Sequence, residues 1–255
     1  LLAFWKCTFT PAQAFADRAA LGVWFNRLLT PPALLGFAAF VWREQRFSEP
    51  IIRPALFADP TFAVPNVMNL LANLASFAIL LLTPYYLLNE LHLSVPVGGM
   101  ILAAPFVGAI GGASLAARLV PRLGQRRVAF AGAALQAVAL IAVGRSTADT
   151  SLAAVIVVLM GAGIGQGLMN VAYTDIVTGT LAQRDRGVAG SLALLTRTLG
   201  IVIGASVLSA IFAAGAGQPA VFVAGYGFAF TVAGAGLATT LLVSCLWPRA
   251  WFASD

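Results

Sequence analysis

The chain has 255 residues, of which 60% are hydrophobic and 9% charged, with a formal net charge of +6 at pH 7 and a mean hydropathy of +0.91. A soluble domain carries roughly a quarter of its residues as charged ones, so this composition excludes a water-soluble globular protein and points to an integral membrane protein. Lys6 is the single lysine, so 14 of the 15 basic residues are arginine; basic loops are expected of a membrane protein on topological grounds, and no nucleic-acid partner is inferred from them.

The chain opens on Leu1, and "LLAFWKCTFT" lacks the basic start and small-residue cleavage pattern of a signal peptide. The sequence therefore reads as a piece of a longer protein. Residues 1–30 carry no assignable element, an external loop being the expectation. Leu28 to Trp42, "LLTPPALLGFAAFVW", reads as the end of a membrane span with Pro31 and Pro32 in its first turn. Residues 31–61 as a whole read as that partial helix followed by a cytoplasmic connector.

From residue 62 the charge-free runs set the architecture, because a helix crossing the hydrocarbon needs about twenty mostly apolar residues. Phe62 to Leu88, Leu93 to Ala117, Val128 to Gly144 and Thr150 to Thr174 are four such runs. Gly187 to Trp247 holds one charge, Arg197, and is too long for one crossing. "GAGQP" at Gly215 to Pro219 is turn chemistry and divides it into Gly187 to Ala213 and Ala220 to Trp247. The expectation is an all-α integral membrane fold: a six-helix bundle over 62–248 after a partial helix, with a cytoplasmic tail at 249–255.

If the spans alternate across the bilayer, Arg43, Arg46, Arg53, Arg118, Arg122, Arg126, Arg127, Arg184, Arg186 and Arg249 share one side, and the opposite connections between spans hold only Arg145. The positive-inside rule makes the crowded side cytoplasmic. The protein is thus expected to be a multi-pass protein of the cell's inner (plasma) membrane, and "ARLVPRLGQRR" at Ala117 to Arg127 a cytoplasmic hairpin loop.

Little in the spans points to an enzyme. There is no HExxH, no GxSxG and one histidine, His92; the two cysteines, Cys7 and Cys245, offer neither a CxxC pair nor metal-ligand spacing. No metal and no cofactor is expected. "GAGIGQG", Gly161 to Gly167, contains no GxGxxG window; Gly161/Gly165 and Gly163/Gly167, like Gly108/Gly112 and Gly200/Gly204, are small residues four apart that let helices approach closely in lipid. The spans do carry uncharged polarity. Asn66, Asn69 and Asn73 fall on one helical stripe, and Gln166, Asn170 and Tyr173 on another. Amides facing lipid are costly, so these stripes, with Gln136, face protein or a water-filled cavity; Tyr85, beside Tyr86, sits near the outer boundary. Arg197 lies about ten residues into its span, roughly 15 Å along the helix, with Asp175 as its most reachable acidic partner.

These features resemble the C-terminal part of a major facilitator superfamily transporter, closest to the fourteen-spanner drug:proton antiporter branch. "FVWREQRFSEPIIRPALFADPTF", Phe40 to Phe62, is similar to that branch's connector. "ARLVPRLGQRR" is similar to the superfamily loop G-x-L-x-D-R-x-G-R-R, with Gly124, Arg126 and Arg127 matching and Pro121 or a neighbour where the acid stands. "RDRGVAGSLALLTRTLGIVIG", Arg184 to Gly204, is similar to the approach to the thirteenth spanner, with Arg197 matching its arginine. The resemblance implies a C-terminal bundle that partners an N-terminal half of the same transporter, with the lipid bilayer, a small-molecule substrate and protons as further partners. It implies export of drugs or other small hydrophobic molecules. A carrier of another metabolite, or a non-transporting scaffold or remnant, remains compatible with the same residues. Single cysteines introduced at Gln125 and Ser146 are expected to label from opposite faces of the membrane; labelling of both from one face would overturn the alternating topology.

Overall fold

A computed structural model describes residues 58–147, 150–180, 186–215 and 219–246 and nine positions between 31 and 46, with the backbone alone at 85, 89, 186–189, 207–215 and 219–225. The unassigned segment 1–30, the connector from 47 to 57, the tail 249–255 and Arg53, Arg184 and Arg249 lie outside the described residues. The chain divides into two compact units, Leu1–Arg53 and Pro54–Asp255. In the first, Pro31, Pro32, Trp42, Arg43 and Arg46 are helical. Helix thus continues past Trp42, and the Arg46 guanidinium lies 4.8 Å over the Trp42 ring, one turn away.

The second unit is a helical bundle. Helix α1 (Pro60–Tyr85) starts where a cap and a proline coincide: Asp59 Oδ1 accepts from the Thr61 N–H at 2.9 Å, and Pro60 occupies the first turn. Hydrogen bonds from Thr61, side chain and backbone, hold the Asp59 carboxyl below the usual carboxylate range, and Arg126 adds to the effect. Pro84 has no N–H to return to the preceding turn. The helix there widens into a π turn, Tyr86–Glu90, in which the Leu91 N–H reaches the Tyr86 carbonyl at 3.2 Å.

Helices α2 (Val95–Leu102) and α3 (Ala104–Leu123) form one apolar rod broken at Ala103. Pro105 explains the break, since it cannot donate to the Ile101 carbonyl. The loop expected at Ala117 to Arg127 is absent: α3 runs through Pro121 to Leu123, and α4 (Gln125–Gly144) begins two residues later. Pro121 lies in the last turn, where it frees one carbonyl near the helix end, and Gly124 makes the reversal alone at φ 85, a conformation open to glycine. Arg118 and Arg122 therefore stand on the last turns of α3, and Arg126 and Arg127 on the first turn of α4.

Helices α5 (Leu152–Thr180), α6 (Arg186–Gly215) and α7 (Pro219–Ser244) complete six rods. Five stretches are long and apolar enough to cross a membrane: Pro60–Leu88, Val95–Leu123, Gln125–Gly144, Leu152–Thr180 and Tyr226–Ser244. α6 contributes a shorter apolar stretch, Gly190–Ser206. Contacts at the two ends set α4 parallel to α1 and α7 against it, as alternation of the rods requires. At one end Arg126 Nη1 donates to the Thr61 carbonyl at 2.9 Å, joining the starts of α4 and α1. At the other end the Tyr86 hydroxyl donates to the Thr147 carbonyl at 2.8 Å, and the Tyr86 ring stacks on Tyr226 at 4.8 Å. Arg118, Arg122, Arg126 and Arg127 thus gather at the first end and Arg145 stands at the second.

α5 is the central rod, packed on α3 and on α4; α4 also packs on α7, and α1 on α6. The close crossings are backbone against backbone. A Cβ added at Gly108 or Gly112 would run into the α5 carbonyls of Met160 or Ile164, and one at Gly163 or Gly167 into those of Pro105 or Ala109. A Cβ on Gly132 would stand 2.7 Å from the Gly165 carbonyl oxygen across the α4–α5 crossing. Gly161 departs from the expected pairing, since its nearest neighbour would be the Ala139 methyl at an ordinary 3.8 Å. Gly163→Ala and Gly167→Ala are expected to destabilise the bundle by about 1–3 kcal/mol through overpacking, whereas Gly161→Ala and Gly111→Ala, which meets open space, leave it near wild type; thermal unfolding in detergent and membrane abundance measure the difference.

Candidate functional site

The asparagine stripe of α1 points inward. Asn66, Asn69, Asn73 and Gln136 of α4 are all buried, as is Tyr173 of α5. In lipid the alternative to an internal partner is an unsatisfied amide costing several kcal/mol, and the partners form two groups.

The first group is closed. The Tyr173 hydroxyl donates to Asn66 Oδ1 at 2.7 Å, and Asn66 Nδ2 turns back to the Phe62 carbonyl at 2.7 Å. Gln136 Nε2 reaches from α4 to the Ala72 carbonyl at 2.9 Å and to Ser76 Oγ at 2.7 Å. Gln136 has no exposed surface, and its Oε1 has no hydrogen-bond partner in the structure. These contacts pin α1 to α5 and to α4. Ser76 escaped the sequence reading although it extends the stripe at the same spacing, three residues beyond Asn73.

The second group opens on a cavity of about 240 Å³ between α1, the α2–α3 rod, α5 and α6. Its polar wall is Asn73, Ser76, Gln166, Asn170 and Arg197; its apolar wall includes Phe77, Leu80, Leu102, Phe106 and Ile201. Asn73 Nδ2 bonds Asn69, to the carbonyl at 2.7 Å and to Oδ1 at 3.1 Å, and Gln166 Nε2 donates to Asn73 Oδ1 at 3.2 Å. Phe77 and Phe106 carry no polar signature in the sequence and only the fold brings them here.

The remaining expected residues fall elsewhere. Tyr85 belongs to α1, but its side chain lies outside the described residues; its neighbour Tyr86 is buried and ties the far end of the bundle together. Asp175 sits within α5, which runs on to Thr180, and forms no ion pair with Arg197. The reason is axial position: Arg197 shares the cavity with Asn170, and Asp175 stands five residues beyond Asn170, about 7.5 Å further along the helix. Gly124, Arg126 and Arg127 make the α3–α4 reversal and the contact to Thr61, away from the cavity. Among the described residues no three His, Cys, Asp or Glu side chains gather as metal ligands would.

An amphiphilic cavity among six alternating apolar helices is what a small-molecule carrier needs, and the comparison with known proteins decides the family. Residues 66–249 match the Major Facilitator Superfamily. The chain belongs to that superfamily. It is thus a multi-pass membrane protein of a family of transporters. An uncharacterised transporter of this type from Mycobacterium tuberculosis is 31% identical over 188 residues, covering 72% of this chain and 27% of that protein. The "Multidrug resistance protein Stp" of the same organism is 31% identical over 183 residues, covering 71% of this chain and 34% of that one. The "Riboflavin transporter RibZ" of Clostridioides difficile is 24% identical over 213 residues, covering 84% and 46%. The chain therefore spans between 27% and 46% of the length of these superfamily relatives.

Removing the closed contacts tests their structural weight. Tyr173→Phe strands Asn66 Oδ1 and is expected to cost about 0.6 kcal/mol, with about 1.7 as an upper figure for such a bond in a membrane; the thermal midpoint of the detergent-solubilised protein reports it, and an unchanged midpoint would show that the bond contributes nothing.

Proposed function

We propose that this chain supplies one six-helix bundle of a secondary transporter that exports small hydrophobic molecules, drugs among them, from the cytoplasm in exchange for protons. The carrying observation is the cavity between α1, α3, α5 and α6, where a polar wall of Asn73, Gln166 and Asn170 faces an apolar wall that includes Phe77 and Phe106. Such a lining accommodates an apolar body and orients it through a few polar groups. The similarity to a protein named for multidrug resistance supports the substrate class, and the similarity to a riboflavin transporter favours, as a second reading, a carrier of one metabolite. The partner in this reading is the N-terminal half of the transporter: alternating access needs two bundles that rock about a shared site. No Asp or Glu lines the cavity among the described residues, so the proton-carrying acid is assigned to that other half. The arginine-rich end is assigned to the cytoplasm and the membrane to the inner (plasma) membrane.

Within this reading Asn66, Asn69, Gln136 and Tyr173 hold the wall, and Asn73, Gln166 and Asn170 form it. The test is the full-length protein expressed in efflux-deficient cells and scored for abundance and for resistance to several chemically different drugs. Export abolished by a protonophore is expected. Asn170→Leu should leave abundance unchanged and alter resistance to some drugs and not others, because differential contacts set specificity, whereas Asn69→Leu should lower abundance and resistance together. A uniform loss for Asn170→Leu that tracks abundance would sink the cavity assignment.

A further inference from the structure

The cavity has an electrostatic sign. Arg197 is the only formally charged residue among its described lining residues. No hydrogen bond or ion pair with another described residue occupies its guanidinium, and Asp175, the acid on the adjoining helix, does not reach it. The Asn170 carboxamide on the same wall is likewise unengaged, since only its backbone carbonyl is used, by Thr174 at 2.8 Å. The neighbouring amides are already committed in part: Asn73 to Asn69 and Gln166 to Asn73. The free hydrogen-bonding capacity is therefore mostly donors, carried by a permanent cation that stands eleven residues, roughly 16 Å, from the start of α6. A charge at that depth needs a counter-charge or water, and a guanidinium matches two oxygens of a carboxylate in one plane.

Resting on the transport reading above, we propose that Arg197 and Asn170 form the anion-recognising corner of the cavity and that the protein carries amphiphilic aromatic molecules bearing a carboxylate, with their rings against Phe77 and Phe106. A lipophilic cation is repelled by Arg197. A carboxylate could come from the substrate or from the transporter's own other half, and the experiment separates the two.

The full-length protein in energised everted vesicles is given three probes: the aromatic carboxylate nalidixate, neutral chloramphenicol and cationic ethidium. Wild type is expected to accumulate nalidixate in preference to ethidium. Arg197→Gln should lower the ratio of nalidixate to chloramphenicol uptake about tenfold, the effect of losing one charge-assisted contact, and Arg197→Lys should restore part of it. Equal loss of both probes at normal abundance would show that Arg197 serves a carboxylate of the protein itself, and an unchanged ratio would show that it recognises nothing; either overturns the proposal. Wild-type uptake of chloramphenicol or ethidium without nalidixate would overturn the substrate class while leaving export intact, and uptake of none of the three would overturn both. Should Arg197→Gln fail to reach the membrane, the wild-type preference and the Arg197→Lys ratio carry the test.

Discussion

The near-contact of the α3 and α5 backbones is the constraint from which the rest of the bundle follows. In lipid there is no apolar advantage in bringing two helices together, because hydrocarbon chains solvate leucine as well as another helix does. What remains is van der Waals contact, which grows as the axes close. Gly108 and Gly112 on one side and Gly163 and Gly167 on the other remove the methyl groups that would hold those axes apart. Gly132 and Gly165 do the same between α4 and α5. α5 is thereby fixed on two sides, and a third face of the same helix carries Gln166, Asn170 and Tyr173 toward α1.

Once α5 is fixed, the amides of α1 separate by depth. Those that meet a partner across a closed crossing, as Asn66 does with Tyr173, are satisfied internally. Those nearer the gap between α1, α3, α5 and α6 are satisfied on one side only and present their remaining capacity to the cavity. One polar stripe thus serves two physical purposes, and the division between them lies at Asn73, which bonds inward to Asn69 and outward to Gln166.

Much of this was legible in the sequence because the bilayer is a severe filter. Runs without charge had to be helices, and amides in those runs had to avoid lipid, so the six rods, the asparagine stripe and three of the four glycine pairs followed from spacing alone. The misses have local causes. Proline acts at Pro105 and Pro84 by withdrawing a donor, which splits α2 from α3 and opens a π turn after α1, yet Pro121 passes without a break because it lies where the helix is ending anyway. Hydropathy cannot distinguish these cases. Gly161 looked equivalent to Gly165, but helix α5 turns it toward a methyl instead of a backbone. The pairing of Asp175 with Arg197 failed because it was judged from charge and not from level along the helices, and Phe77 and Phe106 could not be chosen from among the 17 phenylalanines before the crossings were known.

The position of Arg197 follows from the same close-approach rule as the core. α6 meets α1 at Gly200 and Gly204, where added Cβ atoms would press on the Leu70 and Leu74 carbonyls, and the one on Gly200 would come within 3.1 Å of the Asn73 Cβ. Arg197 stands three residues before Gly200, almost one helical turn, so the crossing that brings Gly200 against Asn73 also brings the arginine to the cavity wall beside it. Thr196, its neighbour, is buried and returns its hydroxyl to the Leu192 carbonyl at 2.9 Å, back along its own helix. A larger residue at position 200 would push α6 outward and carry the charge away from Asn73 and Asn170 together. The glycines that let helices touch are therefore also what sets the placement of Arg197, the one charged residue among the described lining of the cavity.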